Sequence, residues 1–189
     1  MRRILVGALI IGALLGGQTT HAQCRVPRER IPPDWPPTVS KHARSLYSED
    51  RSRRTRGAYE LSKWVNRYPE LQPFLVGMLH DSRSIAAWQV PDHPWAKITT
   101  SPGREAAKGL VQAEAADALL EALRTGKTRG TRQNAALALG LLGEKRAVPI
   151  MLEKIWNPGY HEALGHIGDP RAIEPMIGEL STNRTPHRT

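Results

Sequence analysis

Two histidines and a glutamate near the end of the chain are the residues best suited to hold a metal ion. His161 and Glu162 are adjacent, and His166 follows five residues later. Imidazole nitrogens and carboxylate oxygens bind divalent metals, but a stable site needs three or four ligands in a fixed geometry. The sequence contains no second His–Glu pair. We therefore predict no metal site and no cofactor.

Cys24 is the single cysteine of the chain and its one candidate thiol nucleophile. A reactive cysteine needs an electropositive setting and a positioned base, whereas Cys24 lies in a proline-rich leader. One cysteine cannot form an internal disulfide, so we expect a free thiol or an intermolecular link in an oxidising compartment. The sequence accordingly predicts no catalytic residues and a protein that is not an enzyme.

Trp88 and Trp95 are the strongest candidates for a contact surface. They lie in an insertion, residues 81–100, whose two closely spaced prolines are incompatible with a continuous helix. Short extended arms over residues 85–90 and 96–99, joined by a turn, are predicted there. Aromatic side chains are enriched at binding hot spots. The alternative is that both tryptophans pin the insertion to the rest of the fold.

Four basic residues gather around one short loop between two predicted helices. They fall between positions 124 and 132, and they are Arg124, Lys127, Arg129 and Arg132. A rim of this kind attracts an anionic group on a partner. The alternative is a solvated edge of the molecule with no partner.

The elements that position these residues are indicated by a pattern that occurs twice. Residues 138–148 read Ala-Leu-Gly-Leu-Leu-Gly-Glu-Lys-Arg-Ala-Val, and residues 163–173 read Ala-Leu-Gly-His-Ile-Gly-Asp-Pro-Arg-Ala-Ile, 25 positions later. Repeats with periods of about 20–50 residues are typical of stacked helix pairs. Gly143 and Gly168 are predicted to end the first helix in the left-handed conformation. Asp169 is predicted to cap the next helix.

Four apolar stripes share one template, which we assign to the second helix of each pair. Their residues fall at i, i+3, i+4 and i+7, the spacing of one helical face. The stripes are Leu71/Phe74/Leu75/Met78, Ala116/Leu119/Leu120/Leu123, Val148/Met151/Leu152/Ile155 and Ile173/Met176/Ile177/Leu180. A lone pair cannot cover such a face, so neighbouring pairs must stack. Ser101 before Pro102 is a predicted helix start.

The duplicated motif resembles the HEAT repeat of the phycobilisome-lyase-like type. The resemblance rests on Ala-Leu-Gly-x-(Leu/Ile)-Gly-(Asp/Glu)-x-Arg-Ala-(Val/Ile) and is most specific over residues 131–180. It implies an all-α fold, an α-α superhelix (HEAT-like solenoid) of about four helix pairs with a short irregular or hairpin insertion. It also implies that the second helices line the inner face. The family includes chromophore lyases, iron hydroxylases and scaffolds of protein–protein contact.

The enzymatic members of that family fit this sequence poorly. The HEAT-type hydroxylases bind two irons through several His–Glu pairs, whereas this chain has one pair. His161 also lies closer to Gly165 than the corresponding histidine of that family's motif lies to its glycine. A chromophore lyase would need a cytoplasmic client, which an export signal does not favour. A metal-dependent oxidoreductase of the hydroxylase type is the enzymatic alternative.

Residues 1–22 are predicted to form a secretory signal peptide. Two arginines precede an apolar run over residues 4–15, and small residues at the −3 and −1 positions indicate cleavage after Ala22. The apolar run is shorter than the ~20 residues that span a bilayer, so the processed chain is not expected to be transmembrane. Gln23 before Cys24 fits a lipoprotein signal poorly. The protein is therefore predicted to be periplasmic or secreted.

The mature chain is predicted to contain one folded domain. We assign residues 23–40 to a proline-rich linker, with Trp35 as the residue that would dock it on the first helices, 41–180 to the HEAT-like repeat domain, and 181–189 to a disordered tail. Without the signal peptide, 25 Lys and Arg oppose 18 Asp and Glu, a formal charge of +7. Export argues against nucleic acid as the partner. The basic surface is then either solvated or attracted to an anionic envelope component such as an acidic protein, a lipid or a wall polymer.

These features together predict an exported, non-catalytic scaffold that binds a protein partner in the cell envelope. The alternatives are the metal-dependent oxidoreductase and a protein that binds anionic envelope polymer or lipid. Because no further repeat follows Leu180, the last helix pair must be closed by its own polar face, by the tail, or by another molecule.

Overall fold

The structure is a computed structural model that describes residues 24–93 and 95–182. Over these residues the chain forms nine α-helices and one two-stranded sheet. The helices are α1 (Pro37–Ser45), α2 (Arg51–Ser62), α3 (Gln72–Met78), α4 (Pro102–Gln112), α5 (Ala116–Thr125), α6 (Arg129–Leu141), α7 (Val148–Leu152), α8 (Pro158–Ile167) and α9 (Ile173–Thr182), and the strands are β1 (Ile85–Gln89) and β2 (Lys97–Thr100). The predicted signal peptide and residues 183–189 of the predicted tail lie outside the described residues.

Eight of these helices follow α1 and form the four predicted pairs, α2 with α3, α4 with α5, α6 with α7, and α8 with α9. The first helices of the pairs pack against one another in series, from α2 through α4 and α6 to α8. Three of the second helices begin with a tighter 3-10 turn, at Pro69–Leu71, Lys145–Ala147 and Pro170–Ala172. The all-α class predicted from the sequence is confirmed.

The turns between paired helices have the conformations that the motif predicts. Gly143 and Gly168 have φ values of +66° and +64°, in the left-handed region where a side chain is strained. In the last pair the Asp169 carboxylate accepts a hydrogen bond of 3.0 Å from the Arg171 backbone N–H. Ser101 caps α4 by accepting a hydrogen bond from the Arg104 N–H, as predicted.

Small residues on the first helices allow close approach between neighbouring pairs. A Cβ atom added to Gly140 would lie 2.8 Å from the Cα of Ala163 on α8. One added to Gly109 on α4 would lie 2.9 Å from the Cβ of Ser62 on α2. Real Cβ atoms do not approach other atoms so closely, so these glycines determine the spacing of the helices.

The apolar stripes of the second helices form the core in the first three pairs but not in the last. Leu71, Leu119 and Val148 are fully buried in α3, α5 and α7 or the turn before them. In α9, by contrast, Ile173 is 56% exposed and Ile177 is 53% exposed. The template is therefore the same in all four pairs, while its burial depends on whether another pair follows.

The segment before α2 packs on the first pair. Helix α1 begins at Pro37, inside the range predicted to be a linker, because a proline at the first helical position loses no intrahelical hydrogen bond. Trp35 is buried, and its ring lies edge-on to Phe74 with centroids 5.6 Å apart. Residues 24–45 thus cover the amino-terminal end of the array. At the other end α9 extends to Thr182, two residues beyond the predicted boundary.

A buried ion pair joins α2 to the start of the insertion. The Arg54 Nε donates to the Asp81 Oδ2 over 2.8 Å, and each side chain is 2% exposed. The Arg54 Nη1 also donates to the carbonyls of Ser48 (2.7 Å) and Glu49 (2.8 Å). The Asp81 carbonyl accepts from the N–H of Gly103 on α4, at 2.9 Å. The pair therefore connects two helix pairs at the point where the insertion leaves the array.

The insertion is an antiparallel hairpin, as its predicted extended arms suggest. Strands β1 and β2 pair Trp88 with Ile98 and Ile85 with Thr100, with an irregularity between these pairs. Ala87, within that irregularity, has a positive φ of 51°. None of the helices formed by the described residues is long and apolar enough to cross a membrane.

Candidate functional site

An open groove lies between α3 and α5, the second helices of the first two pairs. It consists of two adjoining depressions of about 480 Å³ and 580 Å³. Both depressions are bounded by the same four residues, Pro73, Val76, Ala122 and Thr125. Volumes of this size accommodate a small ligand or several residues of a peptide.

The groove has an apolar floor and ends of opposite charge. Its depression nearer the start of α3 is bounded by Pro69 and Ala118, and also by the carboxylates of Glu70 and Glu121. The other depression is bounded by Arg25, Lys127 and the half-buried His80. Among the described residues, neither the Arg25 nor the Lys127 side chain forms an ion pair. The basic end can therefore bind an anionic group without first breaking a contact.

Arg25 is held at the groove by its neighbour Cys24, which is buried against α3. The Cys24 Sγ lies 3.5 Å from the Phe74 carbonyl, and the Cys24 N–H donates to the Leu46 carbonyl over 3.3 Å. A Cβ on Gly77 would lie 3.1 Å from this sulfur, so the glycine leaves room for it. Burial raises the pKa of the Cys24 thiol. The thiol is thus a packing group here, and an intermolecular disulfide would require the segment to leave its site.

The four basic residues predicted to form a rim have different positions in the structure. Lys127 is exposed and lines the groove. Arg132 is half-buried, and its Nη1 donates to the Gly126 carbonyl over 2.6 Å, which holds the loop before α6. Arg124 and Arg129 are exposed and do not line the groove. Of the four, the groove therefore includes Lys127 alone.

The two tryptophans proposed as a contact surface are also separated. Trp88 is 8% exposed and lies edge-on to Tyr59 of α2, with ring centroids 5.6 Å apart. Trp95 is 81% exposed beside His93, at a centroid distance of 5.5 Å. Trp88 thus pins the hairpin to α2, which was the alternative considered for both residues. Trp95 is the one of the two that is accessible to a partner.

The hairpin has a second attachment to α2, through Asp92 at its turn. The Asp92 Oδ2 accepts hydrogen bonds from the Lys63 Nζ (2.6 Å) and the Tyr59 hydroxyl (3.0 Å). These hydrogen bonds to the ionised carboxylate, with Lys63 as the larger cause, lower the pKa of Asp92. Asp92 therefore attaches the turn to α2, and Trp95 follows three residues later in the chain.

The residues considered for a metal site do not converge. Glu162 lies 3.6 Å from the Arg104 guanidinium, and His166 is exposed. His161 is half-buried, and its Nε2 has no hydrogen-bond partner among the described residues. No group of three or more His, Cys, Asp or Glu side chains among those residues is placed to hold a metal ion.

The groove was not predicted from the sequence, because its residues lie beside the repeated apolar stripes and not within them. Pro73 and Val76 are three positions apart on α3, and Ala118 and Ala122 are four positions apart on α5. Such spacings place each pair of residues on one helical face, distinct from the core stripe. The sequence signal that could have indicated the groove is a second, shorter apolar stripe on both α3 and α5.

An array of stacked helix pairs with a groove between second helices defines the class of α-α solenoids. The family model for the PBS lyase HEAT-like repeat matches residues 131–154 of this chain, which contain most of α6 and all of α7. This match is consistent with a HEAT-like repeat protein and confirms the resemblance predicted from the sequence. No curated protein matches the chain.

Proposed function

We propose that this protein is an exported HEAT-like scaffold that binds a segment of another protein in the groove between α3 and α5, without catalysing a reaction. The observation that carries the proposal is the open groove whose apolar floor ends at two basic side chains, Arg25 and Lys127, which form no ion pair among the described residues. HEAT repeats commonly mediate contacts between proteins, which supports the same function.

The charges at the two ends of the groove specify an orientation for the bound segment. Arg25 and Lys127 favour acidic residues at one end of the segment, and Glu70 and Glu121 disfavour them at the other. The proline and valine on the floor favour small apolar residues in the middle. The partner segment is therefore an extended peptide with an apolar centre and a carboxylate-bearing end.

Replacing Lys127 with glutamate is expected to weaken binding of such a peptide about three- to tenfold, because it reverses the charge at the groove's basic end. The probe is a synthetic peptide of about ten residues with Pro, Val and Ala at its centre and two aspartates at one end. Binding is followed by NMR chemical shifts of the isotope-labelled mature protein. The shifts are expected at Val76, Ala122 and Thr125.

Arg129→Glu is the matched control, since it makes the same charge change at an exposed residue that does not line the groove. It is expected to leave the affinity nearly unchanged. A second peptide with lysines in place of the aspartates is expected to bind more weakly than the first. Equal losses in both variants would show general charge attraction and would contradict the groove.

Export is proposed from the signal-like residues 1–22, and we expect the mature protein to begin at Gln23 in the periplasmic fraction or the medium. Cleavage there leaves intact the backbone hydrogen bond from Cys24 to Leu46 that docks the amino-terminal segment. Intact-mass measurement of the fractionated protein checks this, with an Arg2→Asp/Arg3→Asp variant as the export-deficient control. Cytoplasmic protein with Met1 retained, or a lipid mass on Cys24, would refute it.

A further inference from the structure

The carboxy-terminal pair, α8 and α9, presents a surface that is covered in the preceding pair. Positions separated by the 25-residue offset can be compared directly. Val148 is fully buried, whereas its equivalent Ile173 is 56% exposed. Leu152 is half-buried, whereas its equivalent Ile177 is 53% exposed. All four side chains are branched and apolar, so the difference arises because a further helix pair covers α7 and none of the described residues covers α9.

The same comparison applies to the glycines of the first helices. Gly140 on α6 faces Ala163 of the following helix so closely that a Cβ would meet its backbone at 2.8 Å. Gly165 on α8 is the equivalent residue, and a Cβ there would meet no atom within 4 Å. We define the end face as Gly165, Ile173 and Ile177. It combines a position for close helix approach with two exposed apolar side chains.

Charged and polar groups border the end face and indicate what it would attract. Glu174, next to Ile173, is an exposed carboxylate without an ion pair among the described residues, whereas Glu162, three residues before Gly165 on α8, is exposed but lies 3.6 Å from the Arg104 guanidinium. The nearby Arg171 already pairs with Asp169 at 2.7 Å. The end face is thus acidic at its border, on a protein whose mature chain carries a formal charge of +7.

We propose that the end face binds an amphipathic α-helix of another protein, with a small residue at the crossing point and basic residues at its flanks. Helix α8 packs on α6, where Ala163 meets Gly140, and its residues Tyr160, Ala163, Leu164 and Ile167 lie at i, i+3, i+4 and i+7 and are all buried. A partner helix with the same stripe would cover Gly165 and the two isoleucines as α8 covers the previous pair. Lysines or arginines beside that stripe would face Glu162 and Glu174.

A second copy of this chain fits the end face less well. Two copies joined through the same face would bring Glu162 and Glu174 close to their own equivalents, which is unfavourable. Joining the end face to the amino-terminal end of another copy would place it against α1 and α2. Among the described residues the large exposed apolar side chains are Trp95, Leu141, Trp156, Ile173 and Ile177, and none of them lies in α1 or α2.

The probe for the test is an amidated helical peptide of about 18 residues that carries Tyr, Ala, Leu and Ile at i, i+3, i+4 and i+7, with lysines on its flanks. We expect NMR shifts of the full mature chain to map to Gly165, Ile173 and Ile177. Gly165→Leu, which blocks close approach, and Ile177→Asp, which removes the apolar contact, are each expected to weaken binding at least tenfold. Both sites are open to solvent, so both variants are expected to fold.

Two controls separate this surface from others. Trp95→Ala, at an exposed aromatic residue in the hairpin, and Lys127→Glu, in the groove, are each expected to leave binding of the helical peptide unchanged. A peptide with leucine in place of its central alanine is expected to lose binding. Because the groove has its own peptide and its own variant, failure of one proposal is distinguishable from failure of the other.

Three results would overturn the proposal. They are shifts that map elsewhere or do not occur, equal affinity in wild type and Ile177→Asp, and self-association of the wild type in sedimentation that Ile177→Asp abolishes. The last result would identify a second copy as the occupant of the end face.

Discussion

The Asp81→Ala variant is expected to have a free energy of unfolding about 3–5 kcal/mol lower than that of wild type, because it leaves the Arg54 guanidinium buried and unpaired. Each of the two side chains is 2% exposed, and the Arg54 Nε donates to the carboxylate over 2.8 Å. An isolated charge in that environment has neither water nor a counterion. Urea unfolding followed by circular dichroism measures the change, provided that the transition is two-state.

Two further variants test the physical reason. Asp92→Ala removes a carboxylate that is hydrogen-bonded at the surface of the hairpin, where the side chain is 54% exposed, and a much smaller loss is expected. The double variant Arg54→Met/Asp81→Leu removes both charges, and it is expected to recover part of the loss. Recovery is incomplete because Arg54 also donates to the carbonyls of Ser48 and Glu49. Equal losses in Asp81→Ala and Asp92→Ala would contradict the interpretation.

Two Gly→Ala substitutions at equivalent positions are expected to change the free energy of unfolding in opposite directions. Gly140→Ala is expected to cost about 1–3 kcal/mol, since the new methyl group would overlap the backbone of Ala163. Gly165→Ala, at the equivalent position of the next repeat, meets open space and is expected to gain up to about 1 kcal/mol from helix propensity. Position in the array, and not residue type, decides the outcome.

Thermal and urea unfolding of the two alanine variants, measured side by side with wild type, checks this prediction. Because both substitutions make the same change in the unfolded chain, the difference between them isolates the packing of the folded state. Destabilisation of Gly165→Ala to the same extent as Gly140→Ala would indicate that the end face is already covered within the chain. That result would also remove the basis for helix binding there.

The helices could be predicted because each helix pair repeats the same local sequence features. The stripe at i, i+3, i+4 and i+7 located α3, α5, α7 and α9, and Ser101 before Pro102 located the start of α4. The glycines at 143 and 168 were assigned to left-handed turns, which their φ values confirm. These features depend on residues that are close in sequence, so they can be recognised in a single sequence.

Contacts between distant segments were not predictable in the same way. Arg54 is one of the 25 Lys and Arg residues of the mature chain, and it continues the buried face of Ala58 and Leu61 at helical spacing. Its burial depends on Asp81, 27 positions later, and no local pattern links the two. Trp35 was expected to dock the amino-terminal segment on the first helices, but no local pattern identifies Phe74 as the residue that it contacts.

The surroundings of the candidate site residues depend on contacts that the sequence does not show. Trp88 and Trp95 belong to the same insertion, but Trp88 of β1 is buried beside Tyr59, whereas Trp95 lies outside both strands and is exposed. Lys127 and Arg132 lie around one loop, yet the Arg132 side chain turns back to the Gly126 carbonyl. The groove itself arises from the spacing between two helices, which depends on the whole array.

The hairpin leaves and re-enters the helical array at neighbouring points, because Ile85 pairs with Thr100 and the buried Asp81 is bound at its base. The helix pairs on either side of the hairpin therefore lie next to each other, and the strands are not needed to bring them together. Sequence changes between residues 86 and 97 that keep Trp88 and Asp92, the two attachments to α2, can alter length, charge and aromatic content while the helix pairs retain their packing. In evolutionary terms the hairpin is a segment on which selection can act for new recognition, independently of the selection that maintains folding.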